Sequence, residues 1–341
     1  MANINTTQIS DLFIKELATS YTAQSTLANN AFFKSGVAFA DPRVTPLMDA
    51  TQGGQLISMP YYKPLTDGNY NIGNDDPTQK SQPDKITTGY ETAVKSFMNK
   101  SYSVMDLAAL STEGEPMVAI NAGIQKYWTN VSEARIIAAT TGIIADSILN
   151  HNSDLLYDIT AQTGEGMNAY LNASVLNTAA GYLGESMTDI RVVCVHPAVF
   201  TNLRNLNIIA TMQEGLTRTL FQTYEDYYIL VDKNMPKQKV DDTHYAYYTY
   251  MFGSNAITYQ YGNPGVEYEI WRDPASGNGA GEEVLFTRRC DLVLPRGYKT
   301  AETGKTGLTE SALASSDTWT RAWDDKDARE RIKFVAVKTL G

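Results

Sequence analysis

Cysteine and histidine are scarce in this chain, and their scarcity excludes several kinds of site. The 341 residues include two cysteines, Cys194 and Cys290, and three histidines. Two cysteines are too few for a disulfide framework or a cysteine-based zinc site, so both are predicted to be buried thiols. His151, His196 and His244 lie far apart, and no two have the spacing of metal ligands on one helix. The sequence therefore predicts neither a metal nor a cofactor.

Long hydrophobic runs and clusters of basic residues are also missing. No apolar run approaches the roughly 18 to 20 residues of a membrane span, so no membrane partner is expected. The chain has 28 Lys and Arg residues against 38 Asp and Glu, which gives a formal net charge of -10. Because broad nucleic-acid binding needs a basic surface, a gripping contact with nucleic acid is not expected, although an acidic protein can still enclose it.

Catalytic motifs occur only as fragments. The string GESMT at 184–188 approaches the nucleophile elbow G-x-S-x-G but lacks its last glycine. The string GKT at 304–306 ends like a phosphate loop, but Lys299 stands where that loop needs its first glycine. No catalytic residue is therefore assigned, and the chain is not predicted to be an enzyme.

Two further features leave alternatives open. Cys194 and His196 are two residues apart, which suits either a reactive pair or a buried thiol beside a histidine that closes a strand-to-helix turn; we favour the second. Seven tyrosines lie between 245 and 268. They could stack against sugars or bases, but aromatic residues are also typical of half-buried strands and subunit interfaces, which we favour here.

The first 50 residues have the pattern of an arm. Ile9, Leu12 and Phe13 fall at helical spacing and predict a short amphipathic helix. The irregular stretch after it, rich in Asn, Gly and Pro, is not expected to form a core of its own. An apolar helix without its own domain needs another surface to pack against.

Residues 51–100 have the pattern of a long β-hairpin. Strand-like residues are followed by clusters of turn residues and by a return limb over 86–102. The tip is predicted to be polar and mobile. Because a lone hairpin is marginal in water, one this long is expected to lie on a neighbour.

A long helix is predicted over 116–149. Pro116 suits a first helical turn, and apolar residues then recur every three or four positions. Such a helix is about 50 Å long, which exceeds what a compact core of this size requires. Gly142 is predicted to bend it. After residue 190 the pattern alternates between apolar strands and short helices.

Four strings in this order carry a resemblance to a known family. They are VHPAVF at 195–200, ILVDKNMP at 229–236, TYMFGSNA at 249–256 and LPRGY at 294–298. The order of arm, hairpin, long helix and mixed body agrees with them. In these features the chain resembles the major capsid proteins of tailed bacteriophages with the Hong Kong 97-type fold.

The resemblance implies an α+β fold and a division of the chain. The segments are an N-terminal arm (1–50), an extended loop (51–100), a peripheral domain (101–185) with a spine helix (116–149), an axial domain (186–275) and a C-terminal segment that returns between the two domains (276–341). Pentamers and hexamers of the protein are then expected to close into the icosahedral head around double-stranded DNA, in the virion of a phage assembled in the bacterial cytoplasm.

The implied partners are further copies of the chain, the portal, scaffold or decoration proteins, and the enclosed DNA without sequence-specific binding. The residues proposed for contacts between subunits are Ile9, Leu12, Phe13, Tyr61, Tyr62, Lys63, Tyr70, Lys80, Lys85, Arg329 and Arg331. Some relatives crosslink Lys and Asn side chains, but nothing in the sequence singles out one of these lysines for that reaction.

Two other functions remain open at this point. An encapsulin-type compartment shares the architecture but forms shells without nucleic acid. A carbohydrate-binding protein or enzyme that uses the Tyr-rich strands needs a concave pocket with convergent polar groups.

Overall fold

A computed structural model describes residues 31–49, 53–63, 65, 70–81, 83, 85–106, 116–160, 169–205, 210–213, 220–224, 227–240, 244–301, 306–322 and 331–340. The strands are β1 (Ala38–Phe39), β2 (Leu56–Tyr62), β3 (Thr88–Val94), β4 (Ser96–Met105), β5 (Leu156–Asp158), β6 (Ile190–Val195), β7 (Ala210–Gln213), β8 (Leu220–Tyr224), β9 (Tyr227–Val231), β10 (Lys237–Lys239), β11 (Tyr245–Gly253), β12 (Ile257–Gly262), β13 (Tyr268–Asp273), β14 (Glu282–Pro295), β15 (Tyr298–Thr300), β16 (Trp319–Arg321) and β17 (Phe334–Leu340). The helices are α1 (Ala31–Lys34), α2 (Pro116–Asn150), α3 (Ala173–Gly181), α4 (Pro197–Asn205) and α5 (Glu310–Leu313).

The larger sheet has eight strands in the order β5-β17-β11-β6-β9-β8-β7, with β10 paired to β11. Its centre consists of apolar runs such as that of β6, where five of six residues are buried. Such continuous runs are typical of strands covered on both faces. β6 and β9 are parallel, while β11 is antiparallel to both β6 and β17. The sheet therefore joins strands that are far apart in the sequence.

The smaller sheet has five strands built around β14. This strand pairs with β12 and β13 on one side and with β4 on the other. The short strand β1 adds to β12 in parallel, so that the described part of the arm lies against the body. Both sheets thus combine strands from more than one of the predicted segments.

Helix α2 connects the two sheets. Near its start, Ile124 and Trp128 pack on Leu285 of β14, and the Trp128 indole donates to the Thr287 hydroxyl at 3.3 Å. Near its end, Ile143 and neighbouring residues belong to the main core with the eight-stranded sheet. Its 35 residues span about 52 Å, and each half is covered by a different sheet.

This coverage corrects one expectation from the sequence. The second half of the helix does not need neighbouring subunits to cover it, because its own chain buries most positions over 132–147. The exposed end is short and contains Leu149, which is 70% exposed. Asn152 and Ser153 then adopt positive φ values of 52° and 56°, which ends the helix where the polar residues predict.

Gly142 lies where another segment packs closely against the helix. A Cβ atom at this position would lie 2.1 Å from the Leu313 carbonyl oxygen and 2.7 Å from the Trp319 indole nitrogen. The missing side chain lets the segment around α5 and β16 approach the helix closely.

The return limb of the hairpin is divided between two sheets. β2 and β3 pair from Leu56 opposite Val94 to Tyr62 opposite Thr88. After Lys95 the chain enters β4, which pairs along ten residues with β14 in the body. The free hairpin is therefore shorter than the segment 51–100, and its root is fixed by the five-stranded sheet.

Candidate assembly surface

The hairpin of β2 and β3 has a buried inner end and an exposed outer end. Ile57, Met59 and Val94 at the inner end are 4%, 8% and 4% exposed. Buried and exposed residues alternate along β2, as in a strand with one covered face. Beyond the paired residues, Tyr70 and Ile72 are 84% and 80% exposed. Its own subunit therefore leaves the outer end uncovered.

The exposed outer end is more apolar than the sequence predicts for a polar tip. Its large exposed side chains are Tyr62, Leu65, Tyr70, Ile72 and Ile86. Single exposed apolar residues are ordinary, but several on one projecting element mark an interaction site. Polar residues between them, such as Asp76 with its hydrogen bonds to Thr78, keep the segment hydrated.

The structure places the remaining predicted contact residues in three groups. Lys80 and Lys85 are exposed on the outer hairpin, as Tyr62 and Tyr70 are. Lys63 lies at the end of β2, and its backbone N–H donates to the Thr87 carbonyl at 2.8 Å. The residues Ile9, Leu12, Phe13 and Arg329 lie outside the described residues. Their contacts with other subunits stay predictions.

Tyr61 and Arg331 meet within one chain. The Arg331 guanidinium lies 4.2 Å from the centre of the Tyr61 ring. The same guanidinium bonds Glu91, a buried residue that sequence reasoning missed. The available signal was an acidic residue in the middle of a strand, three positions before the apolar end of β3.

A groove of about 660 Å³ lies between β4, the first half of α2 and the segment 306–311. Phe97, which is 50% exposed, and Tyr127 form part of its apolar lining. Arg135 also reaches it, but its guanidinium already donates to the Leu308 carbonyl at 2.7 Å and the Ser96 hydroxyl at 2.8 Å. The guanidinium of Arg135 is therefore used for contacts within the subunit.

Cys194 and His196 have the structural role favoured from the sequence. Cys194 is fully buried in β6, and burial raises the pKa of its thiol well above the usual value. His196 Nδ1 accepts the Ala198 N–H at 3.1 Å at the start of α4, and burial lowers the pKa of its imidazole. A protonated thiol and a capping histidine do not form a nucleophilic pair.

Two structural features, a group of metal-ligand side chains and a membrane-length apolar helix, do not occur in the described part of the chain. Three or more His, Cys, Asp or Glu residues do not come together there in a way that could hold a metal ion. Among the same residues, no helix combines the length and apolar character needed to cross a membrane. Gly304 and Lys305 of the GKT string lie outside the described residues.

The Tyr-rich strands mostly contribute to the core. Tyr250 and Tyr259 are each 1% exposed. The Tyr250 hydroxyl is 2.9 Å from that of Thr141, and the Tyr259 hydroxyl donates to Asp291 at 2.6 Å. These rings therefore pack inside the subunit and do not form a stacking surface for a ligand.

Glu133 on α2 gives a prediction about pH. Burial is the main cause, and it raises the pKa of this carboxyl above its usual value. The carboxylate accepts the Ala31 N–H at 2.9 Å, and this hydrogen bond and the charge of Lys34 lower the pKa. Asp232 raises the pKa further. A carboxyl with a raised pKa stabilises the folded state at acidic pH, and this contribution is lost as pH rises through the folded pKa.

Replacing Glu133 with glutamine is therefore expected to increase the free energy of unfolding at neutral pH, because the amide oxygen can still accept the Ala31 N–H without a charge. The gain should shrink as pH falls and should be lost well below about 4, where the wild-type carboxyl is protonated in both states. Urea unfolding of the unassembled subunit across this range measures it, and a gain independent of pH contradicts the assignment.

Comparisons with known proteins agree with this geometry. No protein-family profile matches the chain. The major capsid protein of Bacillus phage SPP1 is 29% identical over 334 residues, which cover 97% of this chain and 98% of that protein. The capsid of Ralstonia phage GP4 has a TM-score of 0.60 at 11% identity, over 91% of this chain and 90% of that chain. The head structure of Helicobacter pylori bacteriophage KHP40 has a TM-score of 0.51 at 11% identity, over 88% and 85% of the two chains.

The two kinds of likeness are independent. The solved capsids are too distant in sequence to show more than the fold, and that fold is the α+β fold expected from the resemblance. The relative from the Bacillus phage, a major capsid protein, matches nearly the whole chain. The chain therefore has the Hong Kong 97-type α+β fold of phage capsids, and it is similar over nearly its whole length to a phage major capsid protein.

Proposed function

We propose that this protein is the major capsid protein of a tailed bacteriophage, that it forms pentamers and hexamers that close into an icosahedral head around double-stranded DNA, and that it catalyses no reaction. The observation that carries the proposal is the outer hairpin, where Tyr70 and Ile72 are 84% and 80% exposed while the inner end is buried. A projecting element with a fixed root and an apolar end suits contact with an adjacent subunit.

Many weak contacts are sufficient for such a shell. Each subunit in a closed assembly touches several others at once, so the effective concentration of each further contact is high. In this proposal the five-stranded sheet with α2 forms the peripheral part of the subunit, and the eight-stranded sheet forms the axial part near the capsomer centre.

The negative net charge of the chain supports a shell that encloses DNA without binding it tightly. With a net charge of -10, non-specific attraction to DNA phosphates is weak. The enclosed DNA, a portal, and scaffold or decoration proteins are the partners we propose, with assembly in the bacterial cytoplasm. Particles from infected cells are expected to protect double-stranded DNA from nuclease, and intact shells that never contain DNA contradict this part.

The double variant Tyr70→Ser/Ile72→Ser tests the hairpin contact. Removing most of the apolar area of two uncovered side chains is expected to raise the concentration needed for shell assembly at least several-fold. The melting temperature of the unassembled subunit should not change, since neither side chain packs on its own body. Light scattering and electron microscopy measure assembly. The conservative variant Tyr70→Phe/Ile72→Val keeps the apolar area and should assemble like the wild type; normal assembly of the serine variant contradicts the proposal.

A further inference from the structure

We propose that Arg331 is a positioning residue, which fixes the direction of the hairpin relative to the eight-stranded sheet and thereby the angle between adjacent subunits. The part concerning subunit angles rests on the proposed function. In this proposal Arg331 acts within its own chain, on the two strands of the hairpin. This role differs from the direct contact between subunits that the sequence suggests.

One guanidinium touches both strands of the hairpin. It lies 4.2 Å from the centre of the Tyr61 ring on β2. Its Nε donates to Glu91 Oε1 on β3 at 3.3 Å. A planar guanidinium can stack on an aromatic ring and bond a carboxylate at the same time, which a lysine ammonium cannot reproduce.

Glu91 is the fixed point of this contact. The residue is 3% exposed, and the same Oε1 accepts the backbone N–H of Gly297 at 3.0 Å in the turn between β14 and β15. A buried carboxylate needs compensating partners. Besides Arg331, the guanidinium groups of Arg296 and Arg43 supply positive charge: burial lowers the pKa of Arg296, and Glu91 acts against that shift.

Tyr61 is held from two further sides. Its ring covers Gly89 on the paired strand, where a Cβ atom would lie 2.4 Å from the Tyr61 hydroxyl. The Tyr61 hydroxyl donates to the Ala322 carbonyl at 3.4 Å. The stacking surface for Arg331 is therefore set by the backbone of the hairpin itself and by the segment that follows β16.

Arg331 also connects to the larger sheet. Ile332 beside it is fully buried, and Lys333 pairs with Asp189 at 2.8 Å just before β6. Three residues after Arg331 the chain enters β17, between β5 and β11. The Arg331 side chain is therefore a direct link between the start of β17 and the hairpin.

The variants Arg331→Met and Glu91→Gln test the assignment in the unassembled subunit. Both are expected to increase hydrogen exchange of the β2 and β3 amides at least tenfold, while amides of β11 keep their wild-type rates. The double variant should show no further increase, because both changes remove the same contact. Arg331→Lys keeps the charge but loses the stacked plane and should recover only part of the protection. Arg288→Met, which removes an exposed pair with Glu269, is the control and should leave the hairpin unchanged.

Electron microscopy of assembled particles tests the second part. If Arg331 sets the direction of the hairpin, Arg331→Met shells should vary more in diameter than wild-type shells or include open sheets. Unchanged hairpin exchange in both single variants overturns the assignment, as does wild-type exchange in Arg331→Met alone. Shells of uniform wild-type diameter with a loosened hairpin overturn the link to subunit angle. Because the exchange experiment uses free subunits, failure of the wild type to assemble affects the proposed function and not this contact.

Discussion

Replacing Arg135 with methionine is expected to destabilise the subunit by about 3–5 kcal/mol. The Arg135 and Asp291 side chains are 3% and 0% exposed, and Arg135 Nε lies 2.9 Å from Asp291 Oδ2. Without the guanidinium, the Asp291 carboxylate stays buried and keeps the hydrogen bond that the Tyr259 hydroxyl donates to it. The change also removes the Arg135 donor from the Leu308 carbonyl and one of the two donors to the Ser96 hydroxyl, which still accepts the Leu308 N–H. Urea unfolding of the unassembled subunit measures the loss.

The matched control is Arg288→Met. Arg288 and Glu269 also form an ion pair, but their side chains are 35% and 52% exposed. An exposed pair contributes about 0–1 kcal/mol, so this variant should stay close to the wild type. The variant Arg135→Met/Asp291→Leu removes both buried charges and is expected to recover much of the lost stability. A loss below about 1 kcal/mol for Arg135→Met contradicts the view that this pair is a buried and tightly coupled contact.

Arg135 also shows where reading the helix from sequence fails. The apolar spacing correctly predicts a helix from Pro116 to about residue 149, and the structure has it over Pro116–Asn150. The most buried residues of its second half include Arg135 and Ile136, whereas Ala134 and Ala138 are only half-buried. Apolar periodicity identifies a buried face when polar residues occupy the exposed one, but here alanines lie on the half-exposed face and a charged residue lies on the buried one.

Local chemistry was sufficient for several other elements. The apolar runs at β6, β9 and β11 predict strands correctly, and His196 closes the turn after β6 as its position suggests. The sequence could not predict which strands pair with each other, because β4 pairs with β14 across more than 170 residues of sequence. A strand pattern specifies which residues face the core, but the partner is set by packing of the whole chain.

The assembly surface was predicted in part for the same reason. Turn residues identify a hairpin, and the need for a neighbour follows from the instability of lone hairpins. The contact of Arg331 with Tyr61 and Glu91 joins residues more than 200 positions apart. No local sequence pattern indicates a contact between residues so far apart. The sequence could therefore predict Arg331 as a surface residue, but not its contact within its own subunit.

Gly142→Ala is expected to destabilise the subunit by about 1–3 kcal/mol, although alanine is the better helix former. The new Cβ would lie 2.1 Å from the Leu313 carbonyl oxygen. That oxygen cannot move freely, since it accepts the Trp319 indole N–H at 2.7 Å and Trp319 is buried. The variant must therefore separate α2 from the segment around α5 and β16, and loss of this packing is the source of the cost.

Gly123→Ala in the same helix is the control with the opposite sign. Gly123 is exposed, and no atom lies within 4 Å of its would-be Cβ. Alanine should then stabilise the subunit by about 0.5–1 kcal/mol through helix propensity alone. Thermal or urea unfolding of both variants gives the comparison. If Gly142→Ala gains stability as Gly123→Ala does, the close approach is absent and Gly142 is an ordinary helical position. If Gly142→Ala alone loses stability, the glycine is required for contact between the spine helix and the C-terminal segment.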